Sequence, residues 1–146
     1  MRFVILATAI GVVVAGVANA EGFNPIETRQ AGQDLVAGDF VGIRAVVNAK
    51  GDVKTLVNPA KAIARWIRQY PTLFPTGSDE GHNTRARPAI WSDNAGFQQR
   101  ANDLAEAADK LAELATAGDT DGVTAQIKVV GDACAACHRT YRTGPY

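Results

Sequence analysis

Methionine is almost missing: the one residue of its type is the initiator, Met1. Cysteine and histidine occur twice each, as Cys134 and Cys137, His82 and His138. So few sulfur and imidazole groups narrow the ways in which a metal could be held. Two cysteines in 146 residues also exclude a disulfide-dense scaffold. Net charge is lacking too. Fifteen basic residues balance fifteen acidic ones, whereas a nucleic-acid binder shows a basic excess. No run alternates apolar and polar residues with period two between turn signals, so strands are not expected. Internal repeats and low-complexity tracts are absent. What remains is 47% hydrophobic, enough for the core of one ordinary domain and too apolar for disorder.

The one long apolar run stands at the start. Met1-Arg2 supplies a positive charge, Phe3 to Val17 is uncharged and apolar, and Ala18-Asn19-Ala20 is a small-x-small cleavage site before Glu21. This reads as a secretory signal peptide. As a membrane anchor the run would be barely long enough, since a span needs ~17–25 residues. The expected organisation is therefore a cleaved segment at 1–20 and one domain at 21–146. Cleavage removes Met1 and Arg2 and no acidic residue. The exported chain then has no methionine, one net negative formal charge and no further candidate membrane span. A bacterial periplasm is the expected compartment.

Four helical stretches are expected in the domain. The first starts at Pro25, capped by Asn24. Ile26, Gln33, Phe40 and Val47 recur every seven residues along it, with Gln30, Ala37 and Arg44 between them, and it stops near Lys50-Gly51. The second opens at Asn58-Pro59, buries Ile63, Trp66, Ile67 and Tyr70, and ends before Pro71. A long polar connection rich in proline and glycine, 71–93, follows; so long a link is usually functional or wrapped over something. Ser92 or Asp93 caps the third helix, whose stripe is Phe97, Ala101, Leu104, Ala108 and Leu111, continued by Leu114. After the turn Gly118-Asp-Thr-Asp-Gly122, the fourth runs from about Asp121 to Thr143 with Val123, Ile127, Val130, Cys134, Cys137 and Tyr141 inward. The fold class is all-α, an antiparallel four-helix bundle.

The chemistry lies in Cys134-Ala-Ala-Cys137-His138. On a helix the thiols at i and i+3 share one side and the imidazole at i+4 lies beside them. Two thioethers to the vinyl groups of a haem are then within reach, the imidazole can meet the iron, and Ala135 and Ala136 let the porphyrin edge lie close. The string is that of c-type haem attachment. A thioredoxin-like pair would need a βαβ neighbourhood. A zinc site would need His82 as fourth ligand and a strained chelate at Cys137-His138. A disulfide across one helical turn is geometrically poor.

The chain resembles cytochrome c′ and its low-spin relatives, the class II c-type cytochromes. The resemblance is carried by Glu27-Thr-Arg29-Gln30, by Arg87-Pro88-Ala-Ile90-Trp91-Ser-Asp93 with Phe97, and by Cys134-Ala-Ala-Cys137-His138-Arg-Thr-Tyr141-Arg142, with the haem string near the C-terminus. It covers the mature chain and implies a left-handed antiparallel four-helix bundle, a homodimer through the first two helices, and one covalent haem c. It further implies that Cys134 and Cys137 attach the haem, that His138 is the proximal ligand, and that Arg29 meets a haem propionate. A solvated surface charge is the plainer reading of Arg29. Arg142 matches a basic residue on the proximal face, but could instead satisfy the last carbonyls of its helix.

Low-spin members of this family use a methionine of the first helix as sixth ligand, which this composition rules out. Cytochrome c′ places an apolar residue over the iron; here Gln33 stands one turn after Arg29 at that position. A buried amide needs partners, so Gln33 is expected in the distal pocket. Direct ligation by Gln33 or by His82 is the alternative, although loop histidines such as His82 are mostly solvated. Trp66 and Trp91 read as core aromatics, and Leu35 and Val46 as a second face suited to a dimer contact. No acid-base constellation points to an enzyme. The functions implied are electron transport, with a redox partner protein, and binding of a diatomic gas such as nitric oxide or carbon monoxide at a largely high-spin iron.

Overall fold

Asn24 and Pro25 start the first helix as their chemistry dictates. In the computed structural model, which describes residues 23–144, the Asn24 side chain accepts from the backbone N–H of Ile26 and Glu27. Helix α1 then runs over Pro25–Asn48. Its buried line is Ile26, Arg29, Gly32, Val36 and Ile43. The expected stripe through Gln33, Phe40 and Val47 instead lies along the flank of this line, half-buried. The helix faces a core and a cavity side by side; Gln33 and Phe40 line the cavity, and Val47 packs at the edge of the core.

Helix α2, Val57–Gln69, starts one residue before the expected Asn58 cap, and no side chain caps it. A 3₁₀ turn, Val53–Leu56, leads straight into it and takes its own cap from Asp52, whose carboxylate accepts from the N–H of Lys54. Asn58 thus falls inside the helix. Pro71 and a second 3₁₀ turn, Tyr70–Leu73, end it. The connection carries one short helix, α3, Ala89–Ser92. Helix α4, Asn94–Ala117, is capped by the Asp93 carboxylate and closed by Gly118 at φ 73°, a left-handed conformation that glycine adopts without a Cβ penalty. Asp119 caps α5, Thr120–Tyr141. That helix stops two residues short of the expected Thr143, because Arg142 turns extended and pairs with Ala86 in an isolated antiparallel bridge.

The four long helices make the expected bundle, with α4 packed on both α2 and α5 and α1 lying chiefly on α2. Alanines at 101, 105, 108, 112 and 115 are buried on α4, and their small side chains let the neighbouring helices approach closely. Gly32 does the same for α1, since a Cβ there would stand 1.8 Å from Cζ2 of Trp66. Ile43, Leu56, Ile63, Leu111, Val123 and Val130 fill the main core. A second, aromatic cluster of Phe74, Phe97 and Tyr141 with Ile90 closes the other end. Trp91 joins it and donates its indole N–H to the carbonyl of Phe74 at 3.0 Å. Leu35 is 73% exposed, as a second face requires. Val46 is half-buried against the core and does not belong to that face; Val41, 65% exposed, does. No helix among the described residues is long and apolar enough to cross a membrane. The segment read as a signal peptide, 1–20, lies outside the described residues.

Candidate functional site

A cavity of about 440 Å³ opens where the two apolar clusters meet, between α1, the C-terminal end of α2, α4 and α5. That volume is in the range of small-molecule and cofactor sites, about 300–1,000 Å³. Cys134, Cys137 and His138 line its α5 wall together, and Arg29 and Gln33 line it from α1. Arg142 stands at the rim just past α5. The structure thus brings together every residue assigned to the site from the sequence.

The thiols are not joined. Burial pushes both above their ordinary pKa, Cys137 to about 11, with the neighbouring Cys134 adding to the effect and Arg100 opposing it. A redox-active pair needs the opposite shift, toward thiolate, and the described residues contain no strand for a βαβ unit. Burial, then the charges of Arg142 and Arg85, pull His138 below its ordinary value. Its neutral imidazole, the form that binds metal, is favoured.

His82 is not on the cavity. It stands at the start of α1, where Nε2 lies 2.9 Å from Asn24 Nδ2 and Nδ1 lies 2.9 Å from a Glu27 carboxylate oxygen. The zinc reading and the loop-histidine ligand both lose their geometry. Among the described residues no group of three or more His, Cys, Asp or Glu side chains is placed to hold a metal ion.

Arg29 is neither solvated nor open. It is 3% exposed, its guanidinium lies 4.2 Å over the Phe74 ring, and it grips the long connection. Nη1 donates to Leu73 O at 3.1 Å and Ser78 Oγ at 2.9 Å. Nη2 donates to Ser78 O and Thr84 Oγ1, both at 2.7 Å. Four of five N–H groups therefore hold the loop, and Nε–H remains for anything else. The loop itself carried no local signal of this role; its Ser78 is buried, unusual for serine unless a strong donor fixes it. At the other end, Arg87 donates to the carbonyl of Arg139 at 3.1 Å, so the carbonyl-capping role considered for Arg142 belongs in part to Arg87.

Gln33 has a partner that was not foreseen. Its amide meets the hydroxyl of Tyr70, a residue read as part of the apolar face of its helix, and acts to lower the phenol's pKa. Burial nevertheless pushes the Tyr70 phenol up to about 12.

The cytochrome c′ family model matches residues 24–142. The chain belongs to the cytochrome c′ family. It is 34% identical over 119 residues to cytochrome c′ of Rubrivivax gelatinosus, covering 80% of this chain and 92% of that one. Cytochrome c′ from Thermochromatium tepidum superposes with a TM-score of 0.77 at 30% identity, over 84% of this chain and 98% of that chain. The nitric oxide complex of a cytochrome c prime variant from Alcaligenes xylosoxidans superposes with a TM-score of 0.74 at 30% identity, over 83% and 94%. A cytochrome c′ carries one covalently attached haem c, and the donor set fits it: two half-buried, unjoined thiols and a neutral-leaning imidazole on one wall of a largely apolar cavity. The chain is accordingly a c-type haem protein of the electron-transport class built on a four-helix bundle.

Proposed function

We propose that this chain is a periplasmic mono-haem cytochrome c′, exported by a cleaved segment at 1–20, that carries electrons and binds a diatomic gas at a largely high-spin iron. Cys134 and Cys137 hold the haem by thioethers and His138 is the proximal ligand. Bound haem supplies one-electron cycling between ferric and ferrous iron and a coordination position for a small gas. The chain's own residues do the rest. Burial, with the charges of Arg142 and Arg85, favours the neutral form of His138. Phe74, Phe97 and Ile90 exclude water from one end of the cavity. Arg29 holds the loop over its edge, with Nε–H left for a propionate. Gln33 lines the α1 wall of the cavity, where it would meet a ligand held opposite His138.

One observation carries this reading. Among the described residues the cavity is lined by a single imidazole, that of His138, and by no methionine. An amide such as Gln33 is a weak ligand beside His, Met or Cys, and this one is already directed at Tyr70. The nitric oxide complex of the Alcaligenes relative supports the gas-binding half. The lining carries no second imidazole to act as an acid-base partner, which supports a carrier rather than an enzyme. Exposed Leu35 and Val41 on α1 support a homodimer through α1 and α2.

The test is an optical spectrum of the purified protein, ferric and ferrous, before and after carbon monoxide, with extraction into acidified solvent. A high-spin ferric spectrum, a ferrous carbon monoxide complex and retention of haem on the polypeptide are expected. A low-spin ferric spectrum without added ligand, or haem lost to the solvent, would overturn the assignment.

A further inference from the structure

Tyr70 ends α2 and opens the 3₁₀ turn that follows. Three rings clamp it: Phe74 edge-on at 5.0 Å, Phe97 at 6.2 Å and Trp66 at 6.5 Å between centroids. A ring held on three sides delivers its hydroxyl to one place. That place is the cavity wall, shared with Gln33 of α1 and with Cys137 and His138 of α5. Arg29, Cys137 and Arg142 line the same cavity, so the phenol lies among the site's polar groups rather than behind them.

A buried phenol has one proton to donate and an oxygen that accepts. The Gln33 amide, on the same cavity wall, acts on this phenol in the sense of an N–H directed at its oxygen. The O–H proton itself is given to no acceptor found among the described residues. Aromatic neighbours offer it only ring faces and edges. The direction left to it is the cavity.

We propose that Tyr70 donates a hydrogen bond to the small ligand bound in this cavity, and that Gln33 is the positioning residue that orients it. The pair then favours ligands whose outer atom accepts a hydrogen bond, nitric oxide over carbon monoxide. This rests on the gas-binding reading of the same cavity. It also moves the selective group from Gln33, the residue conspicuous in the sequence, to a tyrosine on the neighbouring helix.

Tyr70→Phe removes one oxygen and keeps the clamped ring. In the haem-loaded ferrous protein, nitric oxide affinity should fall about two- to thirteen-fold, with carbon monoxide affinity changing less than twofold. The carbon–oxygen stretch of bound carbon monoxide should rise in frequency as the donor is lost, a shift that a purely structural role would not produce. Gln33→Leu should lower the nitric oxide to carbon monoxide ratio in the same direction. Adding it to Tyr70→Phe should change the ratio no further, and Gln33→Asn should restore part of it. An unchanged ratio and stretch in Tyr70→Phe would overturn the proposal, as would a full Gln33→Leu effect in the Tyr70→Phe background. If the unmutated ferrous protein binds neither gas, the gas-binding reading itself falls and this inference with it.

Discussion

Replacing Arg29 by methionine keeps an apolar stem of similar length and removes a buried guanidinium that holds the connection between α2 and α4 to α1. The acceptors left behind set the magnitude. Ser78 Oγ still donates to Pro75 O at 2.9 Å, and the Thr84 hydroxyl still meets the N–H of Ala86 at 3.3 Å, so the two hydroxyls keep partners. The carbonyls of Leu73 and Ser78 do not recover what Arg29 gave them. An orphaned buried acceptor costs about 1–3 kcal/mol, which puts the pair at about 2–6 kcal/mol. Domains of this size have about 5–15 kcal/mol in total. The loop can escape part of this loss by swinging its carbonyls into water, and then the damage is local. Urea unfolding of the haem-loaded protein, followed by far-ultraviolet circular dichroism, reads the global part; amide hydrogen exchange over residues 73–84 reads the local part. Arg29→Lys should recover less than half, because one ammonium cannot serve four acceptors presented to a planar fork. A loss below about 1 kcal/mol with unchanged exchange would refute the reasoning, since it would mean that the loop holds its place without the guanidinium.

Gly32→Ala should destabilise by about 1–3 kcal/mol through overpacking against Trp66, while Gly38→Ala, whose Cβ would meet nothing within 4 Å, should stabilise by about 0.5–1 kcal/mol; urea midpoints separate the two. The phenol of Tyr141 is pushed up to about 12 by burial and by its 2.6 Å hydrogen bond to Asp93. Its folded pKa stands above the ordinary value of about 10, so the stability it contributes is whole below pH ~10 and is lost as pH rises toward ~12. Tyr141→Phe should flatten the fall of the urea midpoint across that window. His138→Ala should keep haem on the polypeptide in a denaturing gel while changing the ferric spectrum and lowering the melting temperature; an unchanged spectrum would show that another group is the proximal ligand.

The local chemistry of the chain was readable because its determinants are neighbours in sequence. Asn24 caps the residues just after it, Asp93 caps α4 from one position away, and Cys134, Cys137 and His138 meet because a helix repeats every 3.6 residues. Along α4 the expected stripe is buried from Phe97 to Leu111, with Leu114 half-buried. What escaped was non-local. Arg29 reads as a propionate partner or a surface charge until the carbonyls of a loop 44 to 49 residues away fold around it. Tyr70 reads as filler until Gln33 arrives from another helix. Val36 and Ile43, the centre of the buried face of α1, were displaced in the pattern because the helix serves a core and a cavity at adjacent angles, which blurs a single period.

The two-residue link Gly118–Asp119 joins α4 to α5, and these helices pack along their length. Such a hairpin closes a short stretch of chain and forms early in folding. The contacts of Arg29 span 44 to 55 residues, and the entropy of closing those larger loops sets them later. On the α4–α5 hairpin taken alone, Cys134, Cys137 and His138 would stand on the side that α1 covers in the whole fold. Docking of α1 and of the loop then roofs the same surface. An α1 docked before the string had taken its haem would stand across the same surface, so the order of docking bears on haem attachment as well as on packing.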